Sequence, residues 1–395
     1  MSMMKSSNTE WLGDIPAEWD VAQIGNYYEL RNEKVSDYDF EPLSVTMKGI
    51  VPQLATAAKS DDHSNRKLVK KGDFVINSRS DRRGSCGISP LDGSVSLINI
   101  VMEPRGEMNP QYYNWLFHTE QFADEFYKWG HGIVDDLWTT RWQEMKKILI
   151  VAPSPDEQRA IADYLDKTCS KIDEIIAEAK ASINEYKELK IGQINKYTIH
   201  KMKRTKLKYI TEKIGDGIHA TPEYSDEGTI RFINGGSFGE DSIKMIGPML
   251  SNEEYQKQNK SLLNEHTVMI ALNGANFGNT SLYNNEAILL GKSAGYITLK
   301  STVCREYVRY CLENSVTKEA FDLSLNGTTI PNLSLNTLRN TEICLPDYSV
   351  QKQLAKTIKK MIIKMDSLIA EKESLINDLE AYKKSLIYEV VTGKR

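Results

Sequence analysis

The stretch that decides the fold is written twice. Residues 153–194 read PSPDEQRAIADYLDKTCSKIDEIIAEAKASINEYKELKIGQI, and residues 346–387 read PDYSVQKQLAKTIKKMIIKMDSLIAEKESLINDLEAYKKSLI. The two align without a gap at an offset of 193 (346 − 153). Identical pairs include Gln158 with Gln351, Ala162 with Ala355, Asp173 with Asp366, and Ile183 with Ile376. A gapless match of this length indicates an internal duplication.

Each copy predicts one long helix, because its apolar residues recur at steps of three, four and seven. The first stripe comprises Ile161, Leu165, Ile172, Ile176, Ala179, Ile183, Tyr186, Leu189 and Ile194. The second comprises Leu354, Ile358, Met361, Met365, Ile369, Ile376, Leu379, Tyr382 and Leu386. A helix of roughly 40 residues spans about 60 Å. Neither helix can leave its stripe in water, so we expect the two to pair.

The start of the first helix has a clear signal. Ser154 is a good N-cap, Pro155 suits the first turn, and Glu157 completes a capping box. In the second copy Asp347 takes the cap position, but Val350 cannot close the box. The two helices are therefore expected to begin at equivalent residues with unequal caps.

Mixed segments precede the helices, at residues 1–150 and 206–345. Strands are predicted at residues 73–76, 95–100, 148–151, 267–272 and 342–345, between turns rich in Gly, Asn, Ser and Asp. Helical stretches are predicted at residues 111–129 and 304–323. Both halves thus read as a globular domain followed by a long helix. The globular parts share little sequence, which indicates two readers of different targets on duplicated supports.

Composition limits the function classes. A chain of 395 residues suggests two or more domains. The net charge of −4 does not favour a simple nucleic-acid binder, although local basic patches remain possible. Five cysteines without a CxxC pair argue against a disulfide framework and a zinc site. With neither a signal peptide nor a long apolar run, we expect a cytoplasmic protein.

No sequence motif for catalysis, cofactor binding or metal binding is found in this chain. Asn109-Pro110-Gln111-Tyr112 lacks the second proline of an adenine methyltransferase motif, and Pro110 is expected to start a helix. The glycine-rich run at residues 274–280 lacks the lysine of a phosphate-binding loop. The acidic pair Asp135-Asp136 near His131 is read as a polar turn. The sequence therefore favours a binding subunit without catalytic residues or a metal.

Several motifs together resemble the specificity subunit of type I restriction–modification systems, along essentially the whole chain. They are the opening WLGDIPAEW (residues 11–19), PSPDEQ (153–158), DGIHATP (216–222), GTTIPNL (327–333) and VVTG (390–393). The second helix has Val350-Gln351 where the family usually has Glu-Gln. Each motif is weak alone, and the combination is specific.

The resemblance implies an α+β chain with an internal pseudo-twofold repeat. Two α/β target-recognition domains, at residues 1–152 and 201–345, would be separated by an antiparallel coiled coil of two conserved helices, at residues 153–200 and 346–395. It implies binding to double-stranded DNA, with each domain reading one half of an asymmetric bipartite site. It also implies docking of two modification subunits and, through them, restriction and translocase subunits. S-adenosylmethionine, ATP and Mg²⁺ would be supplied by those partners, and this chain would hold no cofactor.

Candidate DNA contacts are basic side chains for phosphates, and Arg and Asn for base edges. In the first domain they are Arg66, Lys67, Lys70, Lys71, Asn77, Arg79, Arg82 and Arg83. In the second they are His219, Thr221, Lys257, Lys260, Asn273, Asn276 and Lys292. The turn at residues 273–276 is interpreted as the equivalent of the basic loop at residues 77–84. For each residue a solvated surface role is the alternative.

Two other functions stay open at this stage. A fused methyltransferase or nuclease chain would be an enzyme, and the absence of its motifs argues against it. A coiled-coil scaffold without a DNA role would need only the helices, and DNA footprinting with and without a modification subunit separates it from a specificity subunit.

Overall fold

The computed structural model describes residues 3–56, 63–132, 138–199, 204–239, 242–324 and 332–395. It divides into two compact units, Met1–Ala179 with Ser374–Arg395, and Lys180–Glu373. The division falls within the long helices, and the domain boundaries drawn from the sequence stay predictions. Among the described residues no helix has both the length and the apolarity to cross a membrane.

The first head consists of short strands followed by helices. Its strands are β1 (Met4–Ser6), β2 (Asp14–Pro16), β3 (Asp20–Gln23), β4 (Tyr28–Leu30), β5 (Lys34–Val35), β6 (Leu43–Thr46), β7 (Gly49–Pro52), β8 (Arg66–Val69), β9 (Phe74–Asn77), β10 (Cys86–Ile88), β11 (Gly93–Val95), β12 (Asn99–Pro104) and β13 (Leu149–Ala152). Its helices are α1 (Ile24–Tyr27), α2 (Pro110–Phe117), α3 (Glu120–Lys128) and α4 (Trp142–Met145), and the long helix α5 (Pro155–Thr198) follows.

The second head also combines short strands with short helices. Its strands are β14 (Arg204–Lys206), β15 (Thr211–Asp216), β16 (Ile230–Ile233), β17 (Met249–Leu250), β18 (Thr267–Ala271), β19 (Thr280–Leu282), β20 (Ile288–Leu290), β21 (Ala294–Leu299) and β22 (Glu342–Cys344). Its helices are α6 (Leu207–Ile210), α7 (Asn252–Gln258), α8 (Arg305–Glu313), α9 (Ser315–Leu323) and α10 (Leu335–Asn340), and the long helix α11 (Tyr348–Val391) follows.

The two heads share the strand order of their central sheet despite their unlike sequences. The central four-stranded sheet has the order β4-β12-β9-β10 in the first and β15-β21-β18-β19 in the second. In each, a short strand before the first helix pairs antiparallel with the strand that leads into the long helix, β3 with β13 and β14 with β22. The connection from β9 to β10 is thus equivalent to that from β18 to β19. This agreement supports the equivalence inferred for the two loops.

The long helices are present in both units, each 44 residues long. Each unit holds the N-terminal part of one and the C-terminal part of the other, which is the pairing of antiparallel helices. Most of the predicted stripe is buried or half-buried, and Gly192 lies inside α5 without ending it. Leu189 and Tyr382, predicted within the stripe, are 50% and 44% exposed. They occupy the same repeat position, where a step of three carries the residue off the buried side.

Local predictions need two corrections. Each predicted helical stretch is divided into two helices by a buried residue that caps the second one. Thr119 accepts a hydrogen bond from Phe122 N at 3.2 Å, and Asn314 accepts one from Thr317 N at 2.8 Å. The strand predicted at residues 95–100 is also broken. There the amide of Asn99 turns back to the Ser96 carbonyl, so that β11 ends and β12 begins. Side-chain capping overrides the apolar pattern in these places.

The capping box is confirmed. Glu157 accepts from the Ser154 backbone N–H at 2.9 Å and from its hydroxyl at 2.7 Å, and Glu157 N donates back to Ser154 Oγ at 3.4 Å. Trp19 Nε1 also donates to Glu157, at 3.1 Å. The hydrogen bond from the Ser154 hydroxyl is the main cause that lowers the pKa of the Glu157 carboxyl. Pro110 begins α2 as predicted, and Asn109 is used to cap it, accepting from Gln111 N and Tyr112 N.

Candidate nucleic-acid interface

A buried glutamine ties each head to its long helix. Gln158 is 1% exposed, donates to the Pro153 carbonyl at 2.8 Å, and accepts from the backbone N–H of Asn109 at 2.8 Å. Gln351 is 2% exposed and makes the same two bonds, to Pro346 O (2.7 Å) and from Cys304 N (2.9 Å). In both units the bonded N–H belongs to the residue before a head helix, α2 or α8. The repeated sequence therefore fixes how each head meets its support.

An ion pair between the long helices also occurs once in each unit. Asp173 Oδ1 lies 2.6 Å from Lys383 Nζ in the first unit, and Lys190 Nζ lies 2.9 Å from Asp366 Oδ1 in the second. At the offset of 193, Asp173 corresponds to Asp366 and Lys190 to Lys383. The two ion pairs are thus one contact made twice, with the roles of the helices exchanged.

The basic loop of the first head follows β9. The Ser78 carbonyl accepts from Thr140 N at 3.0 Å, and Arg79 forms an antiparallel bridge with Thr139. The side chains of Arg79 and Arg82 are exposed, Arg82 being 69% accessible and 3.6 Å from Asp81. Asn77 Oδ1 accepts from Arg79 N at 3.0 Å, so it orders the loop backbone. The loop therefore presents Arg79 and Arg82 to solvent.

The remaining basic candidates of the first head differ in how exposed they are and in whether they already have a partner within the head. Arg83 is 47% exposed but forms an ion pair with Asp124 on α3. Arg66 is buried on β8 and bonds to the hydroxyl of Ser94 (2.8 Å) and its carbonyl (3.2 Å), and burial lowers its pKa. Lys67 Nζ donates to the Asn99 carbonyl at 2.6 Å, and burial lowers its pKa too. Lys70 and Lys71 are exposed. Contacts to DNA by this group stay predictions, and Arg66 and Lys67 are held within the head.

The loop after β18 occupies the equivalent place in the second head. The Leu272 carbonyl accepts from Leu333 N at 2.7 Å, and Asn273 bridges antiparallel to Asn332. By this pattern Leu272 is the counterpart of Ser78, and Asn273 is the counterpart of Arg79. Asn276 is half-buried, with its Nδ2 3.5 Å from the Gly236 carbonyl. The two heads therefore place an arginine and an asparagine at one structural position.

The DGIHATP run forms a second candidate surface in the second head. Gly217 has no room for a side chain, because a Cβ there would lie 2.1 Å from the Leu290 carbonyl oxygen. The His219 ring is 72% exposed and lies 2.9 Å from Asp216. A pocket of about 430 Å³ brings His219 together with Lys260, Gln258 and Tyr296.

The other candidates of this head are exposed at separate places. Thr221 follows His219, and Lys292 lies in the turn between β20 and β21. Lys257 is 67% exposed, and its Nζ lies 3.6 Å from buried Glu254. Of the resemblance motifs, residues 327–331 lie outside the described residues, as does the Asp135-Asp136 pair.

A further basic cluster was missed by the sequence reasoning. Lys187, Lys244, Lys318 and Lys359 are exposed and line one cleft of the second unit, together with Asn276. Comparison of the repeats could have indicated two of them, since Lys187 corresponds to Glu380 and Lys359 to Asp166. Lys244 and Lys318 lie in unlike parts of the heads, and only the folded structure brings them to the same place.

The fold and the loops define a class of protein. Two heads with the same central sheet order, each anchored in the same way to a duplicated helix, present different polar and basic side chains at equivalent loops. Such a chain is a two-headed protein whose equivalent loops carry different side chains.

Comparison with known proteins agrees with this class. Residues 195–378 match the model of the type I restriction modification DNA specificity domain. A relative, the type I restriction enzyme MjaVIII specificity subunit of Methanocaldococcus jannaschii, is 23% identical, over 96% of this chain and 93% of its own length.

Two solved structures share the fold. A chain from a study of complex assembly and conformational transition of the type I restriction–modification system has a TM-score of 0.79 at 14% identity, covering 96% of this chain and 99% of that one. The HsdS subunit of Thermoanaerobacter tengcongensis has a TM-score of 0.59 at 16% identity, covering 96% and 98%. The chain is thus similar to type I restriction–modification specificity subunits, by a domain match over residues 195–378 and by a relative aligned along nearly its whole length.

Proposed function

We propose that this chain is the DNA-reading subunit of a type I restriction–modification complex and recognises an asymmetric bipartite site. The observation that carries the proposal is the pair of equivalent loops with unlike side chains, Arg79 in one head and Asn273 in the other. Arginine pairs with guanine and asparagine with adenine in the major groove. Two heads that differ at such positions read two different half-sites.

Exchange of one head tests this proposal. Residues 206–345 are replaced by the corresponding segment of another specificity subunit, and methylated adenines are mapped in cells that carry the modification subunit. One half of the methylated site should change completely and the other should be retained. A site that changes in both halves, or in neither, contradicts the proposal. Exchange of residues 1–152 is the matched control and should change the opposite half.

We propose further that two modification subunits dock on the long helices, and that restriction and translocase subunits join through them. Two identical partners need two equivalent surfaces, which the unlike heads do not offer. Three charged positions are exposed and identical in the two helix copies: Lys167 and Lys360, Lys171 and Lys364, Glu178 and Glu371. At about 100° per residue, each set falls within about 40° of one helix side, opposite the buried stripe. Each set is contained in one unit.

Charge reversal tests the docking surface. The variant Lys167→Glu/Lys171→Glu should lose one modification subunit, Lys360→Glu/Lys364→Glu should lose one, and the fourfold variant should lose both. Native mass spectrometry counts the subunits bound. Lys356→Glu is the control, since Lys356 is exposed and its counterpart is Asp163. Full occupancy in the fourfold variant would remove this surface from the proposal. As part of a complex that acts on DNA in the cell, the chain is proposed to work in the cytoplasm.

A further inference from the structure

A cleft in the second unit collects positive charge from four separate elements. Its volume is about 690 Å³. Lys187 comes from α5, Lys244 from the segment between β16 and β17, Lys318 from α9, and Lys359 from α11. All four are exposed, and in the described part of the chain none of them forms an ion pair. Sequence spacing does not produce such a cluster, because its members are separated by up to 172 residues (359 − 187).

The acidic residues of the same cleft do not neutralise these lysines. Asp366 lies 2.9 Å from Lys190, and Glu313 lies 3.1 Å from Arg309. Each of these two carboxylates is therefore already paired with a basic side chain other than the four lysines. Among the described lining residues, six are basic and two are acidic, so the cleft attracts polyanions.

The equivalent groove of the first unit has the opposite charge. It lies between α2 and α5, has a volume of about 630 Å³, and is lined by Asp166, Asp173 and Glu174. Asp166 is the counterpart of Lys359, and it accepts hydrogen bonds from Trp115 (2.8 Å) and Gln111 (3.1 Å). The basic charge is therefore a property of one unit and not of the repeated support.

We propose that the basic cleft of the second unit binds the phosphate backbone of double-stranded DNA, independently of sequence, next to the half-site read by the second head. This rests on the proposed DNA-reading function. Asn276, in the loop proposed to read bases, lines the same cleft, so the backbone contact continues the base-reading surface. The cleft supplies binding affinity at the half-site of the second head. At the other half-site, the first head depends on the loop at residues 77–84.

An acidic segment of a partner protein is the competing occupant, since Ile191 and Ile363 in the cleft are 50% and 54% exposed. Their counterparts in the first unit are Lys384 and Ser170. Two identical modification subunits therefore find no matched surface here. The differing charge and apolarity favour DNA over a partner that binds twice.

The test compares DNA binding by the full complex with two modification subunits. Dissociation constants are measured across a salt series for a duplex with the mapped site and for a scrambled duplex. The logarithm of the binding constant K falls with the logarithm of the salt concentration, and each lost phosphate contact reduces the magnitude of this slope by about 0.9. Lys187→Ala/Lys359→Ala should lower it by about 1.8 on both duplexes, with the ratio between the duplexes unchanged. Lys208→Ala/Lys356→Ala, exposed lysines outside the cleft, should leave it unchanged.

Lys359→Asp introduces the residue type of its counterpart Asp166 in the first unit. It should reduce the magnitude of the slope at least as much as Lys359→Ala does. An unchanged slope in the double variant, with normal site preference, overturns the phosphate contact and leaves the proposed function intact. Loss of a modification subunit from the double variant assigns the cleft to the partner and also overturns it. Failure of the wild-type complex to prefer its mapped site contradicts the proposed function itself.

Discussion

The first head and the second head share the order of their central sheet and almost no sequence, whereas the two long helices are copies of one sequence repeat. Residues that set geometry are repeated, namely Gln158 with Gln351 and the two interhelical ion pairs. Residues that face solvent in the loops and grooves differ, and Asp166 against Lys359 even reverses charge. Contacts that hold a head in place depend on a few buried bonds, while recognition depends on exposed side chains that the fold tolerates freely.

The largest effect should come from the two equivalent loop positions. Arg79→Ala should relax one base position in the half-site of the first head, and Asn273→Ala one position in the half-site of the second. Loss of a bidentate base contact costs about 1–3 kcal/mol, or roughly 5- to 150-fold in discrimination. Binding to a library of single-base variants measures it. If both substitutions relaxed the same half-site, the two loops would not be counterparts.

The buried glutamines should give the next effect, on stability. Gln158→Ala leaves the backbone N–H of Asn109 without its acceptor, and Gln351→Ala does the same to Cys304. An unsatisfied buried group costs about 1–3 kcal/mol. Hydrogen exchange should show faster opening of α2 in the first variant and of α8 in the second. Equal acceleration in both units from either change would contradict separate anchors.

The capping box distinguishes the two helix starts. Because the folded pKa of Glu157 is lowered, its contribution is present above the unfolded pKa and is lost as pH falls through the folded pKa. Glu157→Gln keeps an acceptor for the Ser154 N–H but removes the negative charge, and it should lower the stability of the first turn of α5 by about 0.3–1 kcal/mol at pH 7. The difference from wild type should vanish in acid. Val350→Ala, at the equivalent position of α11, is the control and should show no such pH dependence in hydrogen exchange.

The interhelical ion pairs should give the smallest effect. Partly exposed pairs contribute about 0.2–1 kcal/mol, and salt weakens them. A double-mutant cycle on Asp173 and Lys383 should give a coupling energy in this range, and a cycle on Lys190 and Asp366 a similar one. Urea unfolding at low and high salt measures both. Coupling in only one unit would show that the repeated residues have lost their common role.

Sequence patterns determined the parts of this protein that depend on local spacing. The apolar stripe of each long helix, the capping box and the start of α2 at Pro110 are fixed by residues within a few turns of one another. The pattern could not place Leu189 or Tyr382, or locate the helix breaks at Thr119 and Asn314, because burial of those residues depends on what packs against them.

Only the tertiary structure decided which distant residues meet. It assigned Asn273 as the counterpart of Arg79, through bridges to Asn332 and Thr139. It placed Arg66 inside the first head, and it brought four lysines from four elements into one cleft. The physical reason is that helix and strand periodicity select the side of an element that is buried, whereas an electrostatic surface is made by residues that the chain brings together only when it folds.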